Sequence, residues 1–222
     1  MSSIAIITAR GGSKRIPKKN IKDFCGKPII AYSIEAAIQS ALFDEVMVST
    51  DSVEIAEIAK EYGAAVPFYR SEKTSNDFAG TGDVLAEVID AYKKRGRVFD
   101  YMCCIYPTAP FVTAEKLRNA FQLMVDNNAS AVSPVVPFSY PPQRGFYMRD
   151  NRLVAVDEAS RPKRSQDLET IYHDAGQFYF YNQADKSGPS IPIVLPESEV
   201  QDIDNFEDWK LAEMKFRMML TK

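Results

Sequence analysis

The chain has 222 residues, with 27 Lys and Arg against 30 Asp and Glu, a net charge of −3. That length supports one large α/β domain, spanning 1–222, with a well-buried core, and the charge balance gives no electrostatic case for nucleic acid or an anionic membrane as partner. Three cysteines (Cys25, Cys103, Cys104) and one histidine (His173) make neither a disulfide framework nor a zinc-type cluster, and no signal-peptide pattern or membrane-length apolar run is visible, so a reducing, cytoplasmic location is expected.

The β-branched run Ile4–Ile7 predicts a first strand. It leads into Thr8-Ala9-Arg10-Gly11-Gly12-Ser13-Lys14-Arg15-Ile16-Pro17-Lys18-Lys19-Asn20, five cations in eleven residues around a Gly-Gly turn. Glycine lets backbone N–H groups approach an anion closely, and Lys and Arg neutralise it, so the loop is suited to phosphate. The spacing matches neither the P-loop of NTPases nor the Gly-x-Gly-x-x-Gly of dinucleotide-binding folds. A helix is predicted over Ile29–Gln39, a strand over Glu45–Thr50 and an amphipathic helix over Val53–Tyr62, closed by Gly63. A short strand over Val66–Arg70 precedes a helix over Gly82–Arg95, whose Val84, Leu85, Val88, Ile89 and Tyr92 recur at helical spacing.

The continuous apolar run Tyr101–Tyr106 reads as a buried central strand. A helix over Ala114–Asn127 and a strand over Ala131–Val136 follow. Residues 137–170, rich in Pro, Arg, Tyr and Gln with a hairpin-like stretch at Tyr147–Val154, break the alternation, and so long a segment reads as an arm or lid. Gly176–Tyr181 and Ile191–Leu195 resume the sheet, and Asn205–Met219 is the closing helix. The alternation predicts a mostly parallel central sheet flanked by helices.

Asp202-Ile203-Asp204 places two carboxylates on one side of an extended segment with Ile203 facing the core. Such a pair suits Mg²⁺, a hard cation that takes carboxylate oxygens and keeps water or phosphate in its other positions; the competing use is capping of the helix that follows, by Asp204 or Asn205. Ser49-Thr50-Asp51, Arg70-Ser71 and Tyr106-Pro107-Thr108-Ala109-Pro110 all end predicted strands, where open α/β sheets bind ligands, although a helix cap explains the first and a proline-fixed turn the last. His173, between Tyr172 and Asp174, is either a ligand contact or a structural hydrogen-bonding group. Loop cations with a distant carboxylate pair are the parts that nucleotidyl transfer requires, since its chemistry is mainly positioning and charge stabilisation.

In order along the chain, ARGGSKRIPKKN, GKPIIAYSIEAA, VSTDS, RSEKTSNDFAGTGD, IYPTAP, SQDLETIYHDAGQFYF and QDIDNFEDWKLAE resemble the CMP-sialic acid synthetase family of cytidylyltransferases. The resemblance implies a Rossmann-like nucleotide-diphospho-sugar transferase fold with a protruding dimerisation arm, acting on CTP and a nine-carbon 2-keto sugar acid (a nonulosonic acid) with Mg²⁺. It implies that Ala9, Arg10, Gly11, Gly12, Ser13, Lys19 and Asn20 hold the CTP phosphates, with Arg10 and Lys19 as the main cations. Arg70, Gly80 and Thr81 would read cytosine and ribose. Asp202 and Asp204 would bind the metal, and Asp202 would also help deprotonate the anomeric hydroxyl as it attacks the α-phosphate. The sugar site would draw on Tyr106, Thr108, Tyr172, His173 and Gln177, partly across a homodimer. Tyr106 stands where sialic acid enzymes carry Gln, and His173-Asp174-Ala175-Gly176 where they carry Arg-x-Asn-Gly, which leaves polar groups of sialic acid unpaired. These segments are similar to the pseudaminic acid branch, with legionaminic acid next. A glycosyltransferase of the same fold, or a nucleotide-binding protein without activity, fits the basic opening loop and the late position of Asp202-Ile203-Asp204 less well.

Overall fold

The computed structural model describes residues 1–221. The first strand, β1 (Ser3–Thr8), runs into the basic loop, and a short hairpin of β2 (Asp23–Phe24) and β3 (Lys27–Pro28) follows. The hairpin turns on Cys25 and Gly26, both at positive φ (50° and 103°), the conformation that a two-residue hairpin turn demands. Then come α1 (Ile29–Ser40), β4 (Glu45–Ser49), α2 (Val53–Glu61), α3 (Glu72–Ser75), α4 (Thr81–Lys93), β5 (Tyr101–Ile105), α5 (Ala114–Asp126) and β6 (Ala131–Pro137). The hairpin β7 (Phe146–Arg149) and β8 (Arg152–Ala155) precedes β9 (Tyr172–Asp174), β10 (Phe178–Asn182), β11 (Ser190–Val194) and α6 (Phe206–Leu220).

The central sheet runs β11-β6-β10-β5-β1-β4, with β9 paired to β6 outside that row. β1 is parallel to β4 and β5, and β11 to β6, whereas β10 is antiparallel to both β5 and β6, and β9 is antiparallel to β6. Five strands therefore point one way, so the sheet is mostly parallel as expected, and Thr8, Ser49 and Ile105 all end on one edge. Period-two alternation splits the core between the two faces. Ala5, Ile7, Val48, Cys103 and Ile105 meet α1, α2 and α5; Ile4, Ile6, Met47, Met102 and Cys104 meet α4 alone. A third cluster joins Ile16, Phe24, Ile29, Phe111 and Ile203 to Trp209 and Phe216 of α6, with Phe24 edge-on to both of those rings.

Two expectations need correction. Val66–Arg70 is not a strand: only Ala65 bridges to Met47, and the chain then peels away. Pro67 has no N–H to donate to a ladder, and Arg70 turns its side chain inward to Ser49. The 137–170 segment is followed by a strand that periodicity did not predict, since the three exposed residues Tyr172–Asp174 pair with Val135–Pro137. Within that segment, β7 and β8 pair only with each other, through a turn with Asp150 and Asn151 at φ 48° and 58°. The hairpin leaves Met148 and Leu153 largely exposed. Burial pushes the Cys104 thiol up to about 12 and that of Cys103 well above the ordinary range, so both are packing groups. Among the described residues no helix is long and apolar enough to cross a membrane.

Candidate active site

The loop after β1 is held from three sides. Ala9 N–H donates to the Ser49 carbonyl (2.9 Å), Gly11 N–H donates to Asp51 Oδ1 (2.7 Å), and the buried Asn20 amide donates to the Arg10 carbonyl (2.9 Å). The two glycines differ in purpose. A Cβ on Gly11 would lie 3.1 Å from Ser52 Cβ, so glycine there permits close approach of the β4–α2 turn; a Cβ on Gly12 would meet nothing within 4 Å.

A cleft of about 460 Å³ opens at this edge of the sheet, a size within the range of small-molecule sites. It brings Arg10, Ser13, Lys19 and Asn20 of the loop together with Tyr106, Thr108, Asp202 and Asp204. Residues nearly two hundred positions apart thus share one surface. Lys19 makes the direct link, donating from Nζ to the Ile203 carbonyl (2.5 Å). Burial in the cleft lowers the pKa of its ammonium, an effect opposed by Asp204 and Asp202. Ile203 is fully buried, so the carboxylates on either side of it are directed away from the core. Asp202 lies at the cleft mouth, yet the surrounding walls desolvate its carboxyl and raise its pKa; Asp204 adds a like charge and Lys19 partly offsets both.

The capping role falls to a neighbour of the pair. Asn205 caps α6, accepting from the N–H groups of Glu207 (2.8 Å) and Asp208 (3.0 Å), while Asp208 accepts from the N–H groups of Asp204 and Asn205. Neither Asp202 nor Asp204 is spent on the helix; the Asp204 side chain instead pairs with Arg15 (2.7 Å). Two hard carboxylates beside a cationic phosphate-sized cleft fit Mg²⁺. Among the described residues no group of three or more His, Cys, Asp or Glu is gathered that could hold a metal ion.

The remaining expected site residues are spread more widely. Arg70 is buried and donates to the Ser49 carbonyl (2.7 Å) and hydroxyl (3.2 Å), so its guanidinium braces the end of β4. Desolvation lowers its pKa against the pull of Asp51 and Glu87. Gly80 is the N-cap residue of α4, and Thr81 lines a second cavity, of about 870 Å³, between α4 and the strand face of β5 and β10. Tyr106 borders both cavities, and its ring is 5.5 Å from that of Tyr179, whose hydroxyl donates to Asp174 (2.6 Å). Ala9 is wholly buried, and Tyr172, His173 and Gln177 line neither cavity. His173 packs on Phe138 with ring centroids 4.8 Å apart, and Gln177 is buried, with Nε2 donating to the Glu199 carbonyl and Oε1 unpartnered. Gln177 reaches Tyr106 through the backbone instead: its carbonyl accepts from Tyr106 N–H (2.8 Å).

Lys14, Arg15 and Asp77 also line this cleft; the two cations are among the phosphate-neutralising charges read from the loop sequence, whereas Asp77 was given no role and carried no local signal.

The chain matches the family model described as cytidylyltransferase over residues 4–201, a stretch that ends just before Asp202. It is 41% identical to a pseudaminic acid cytidylyltransferase of Campylobacter jejuni, over 98% of this chain and 97% of that protein. It is 38% identical to a CMP-N,N'-diacetyllegionaminic acid synthase of Legionella pneumophila, over 96% of this chain and 95% of that one. Its fold is that of a CMP:2-keto-3-deoxy-manno-octonic acid synthetase solved with CTP, at a TM-score of 0.70 and 18% identity with both chains covered in full.

Proposed function

The chain belongs to the cytidylyltransferase family, and from that premise we propose that it joins CTP to pseudaminic acid, a nine-carbon 2-keto sugar acid, releasing pyrophosphate and the CMP-sugar. The observation that carries this reading is the convergence of Arg10 and Lys19 with Asp202 and Asp204 in one cleft. The anomeric hydroxyl oxygen attacks the α-phosphorus in line; a new P–O bond forms as the bond to the β-phosphate oxygen breaks, and pyrophosphate leaves with the electron pair. Arg10 and Lys19 neutralise charge on the triphosphate, and the N–H-rich turn at Gly11 to Ser13 and the Asn20 amide keep the loop in shape around it. Asp202 and Asp204 would hold Mg²⁺, which would supply charge neutralisation and polarisation of the phosphoryl group. Asp202 also takes the proton of the attacking hydroxyl.

Arg70 secures the β4 end beside the base site, with Gly80 and Thr81 across from it. Sugar selection is assigned to Tyr106 and Thr108, to Tyr172 and His173 at the root of the arm, and to Gln177 through its backbone hold on Tyr106. The exposed apolar hairpin β7–β8 is assigned to a homodimer contact, because an isolated two-stranded hairpin needs a partner surface to be stable. Use of CTP and free, buried thiols fit a cytoplasmic enzyme.

The test is pyrophosphate release from CTP and Mg²⁺ with pseudaminic, legionaminic, sialic or 3-deoxy-octulosonic acid in turn. Fastest release with pseudaminic acid is expected. Equal or faster turnover of sialic acid refutes the substrate reading, and no release with any acid refutes the reaction. Legionaminic acid is the second reading, favoured by the 38% identity to the Legionella synthase.

A further inference from the structure

The connection between α3 and α4 brings a carboxylate into the phosphate cleft. Asp77 Oδ1 lies 2.7 Å from Arg10 Nη1, and its other oxygen pairs with Lys14 Nζ. Both cations come from the loop after β1, more than sixty residues away. These pairs are the side-chain hydrogen bonds of Asp77 among the described residues, and they hold its carboxyl below the ordinary range. The segment carrying it is lightly anchored: Asn76 Oδ1 accepts from the N–H groups of Phe78 (2.8 Å) and Ala79 (3.1 Å), and Phe78 is 97% exposed.

A polyphosphate needs the cations that Asp77 now occupies. We infer that Asp77 is an internal competitor for the phosphate site, a carboxylate that holds Arg10 and Lys14 in the nucleotide-free protein and must release both before a polyphosphate can bind. The inference rests on the reading of this cleft as the phosphate site. Exposed ion pairs are individually weak, whereas a di- or triphosphate presents several charges and bidentate acceptors to the same guanidinium. The ligand therefore wins at a reduced apparent affinity, set by the fraction of molecules in which the cations are free. The same competition favours departure of pyrophosphate, because Asp77 recaptures the cations as the anion leaves.

Calorimetric titration of the full chain with pyrophosphate, CTP and cytidine, for the natural protein and for Asp77→Asn and Asp77→Ala, tests this. Both variants should bind pyrophosphate and CTP roughly 3- to 30-fold more tightly, the range expected for loss of two exposed ion pairs. Their affinity for cytidine, which has no phosphate, should be unchanged. Pyrophosphate binding that stays equal or weakens in both variants overturns the inference, as does a matching gain for cytidine, which would signal a general change of shape. Arg10→Ala separates the underlying reading: if that variant binds pyrophosphate as well as the natural protein, the cleft is not the phosphate site, whatever Asp77 does.

Discussion

The aspartate pair depends on what its neighbours do. Ile203 is anchored in the core between Asp202 and Asp204, Asn205 relieves both of capping, and Arg15 and Lys19 supply opposing charge. Asp204→Asn keeps the shape but removes a charge that the reaction uses, so kcat should fall on the order of 10²-fold, a loss typical of one transition-state charge contact. The KM for CTP should change much less, since Arg10 and Lys19 remain in the cleft. Steady-state kinetics check this, and a variant with near-natural kcat would remove Asp204 from the reaction. The pair was legible in the sequence because carboxylates at i and i+2 around an apolar residue form a local pattern. Asp77 was not: a lone Asp in Ser-Asn-Asp-Phe looks like a turn residue, and its significance lies in cations 63 and 67 positions away. Arg70 was visible as a cation at a presumed strand end, but that it bends back to the Ser49 carbonyl depends on tertiary packing.

Among the elements, α6 shapes the carboxylate side of the cleft. Its N-terminus carries the reciprocal cap of Asn205 and Asp208, and its Trp209 and Phe216 pack on Phe24 of the small β2–β3 hairpin. Asn205→Ala removes the side-chain oxygen that accepts from two N–H groups and should cost about 1 kcal/mol, a fall in Tm of roughly 2–4 °C for a chain of this size. Thermal unfolding followed by circular dichroism measures it, and an unchanged Tm would mean that the Asp208 carboxylate alone suffices. The alternation of strands and helices was readable because apolar periodicity is local and strong in β1, β5 and α4. The exceptions have physical causes. Pro67 cannot donate to a ladder, and β9 is made of polar, exposed residues whose pairing with β6 follows from topology rather than pattern.

At the scale of the whole molecule, one face of the sheet is covered by three helices and the other by α4 alone, which leaves Tyr179 and Tyr181 lining the larger cavity. Tyr106 lines both that cavity and the cleft beside the basic loop, so a ligand bound against it could reach either side. The β7–β8 hairpin stands apart from the sheet with Met148 and Leu153 exposed. If it packs on a second copy, Met148→Asp with Leu153→Asp should convert a dimer to a monomer in size-exclusion chromatography with light scattering, with loss of sugar-dependent turnover and little change in CTP binding. A natural protein that runs as a monomer at assay concentration would remove the shared-site reading. A local apolar count exposes the hairpin, whereas what would cover it has no local sequence pattern.

The bond from Lys19 Nζ to the Ile203 carbonyl spans 184 positions, and this has a bearing on how the protein is made. Synthesis delivers the basic loop first, and domains acquire structure as the chain emerges. Arg10 and Lys14 can find Asp77 once about a third of the chain has been made, whereas Lys19 and Arg15 wait for Ile203 and Asp204, in the last tenth. The partners of Arg10 and Lys14 are therefore made long before those of Arg15 and Lys19. The two sides of this cleft are thus joined only when nearly the whole chain has been made.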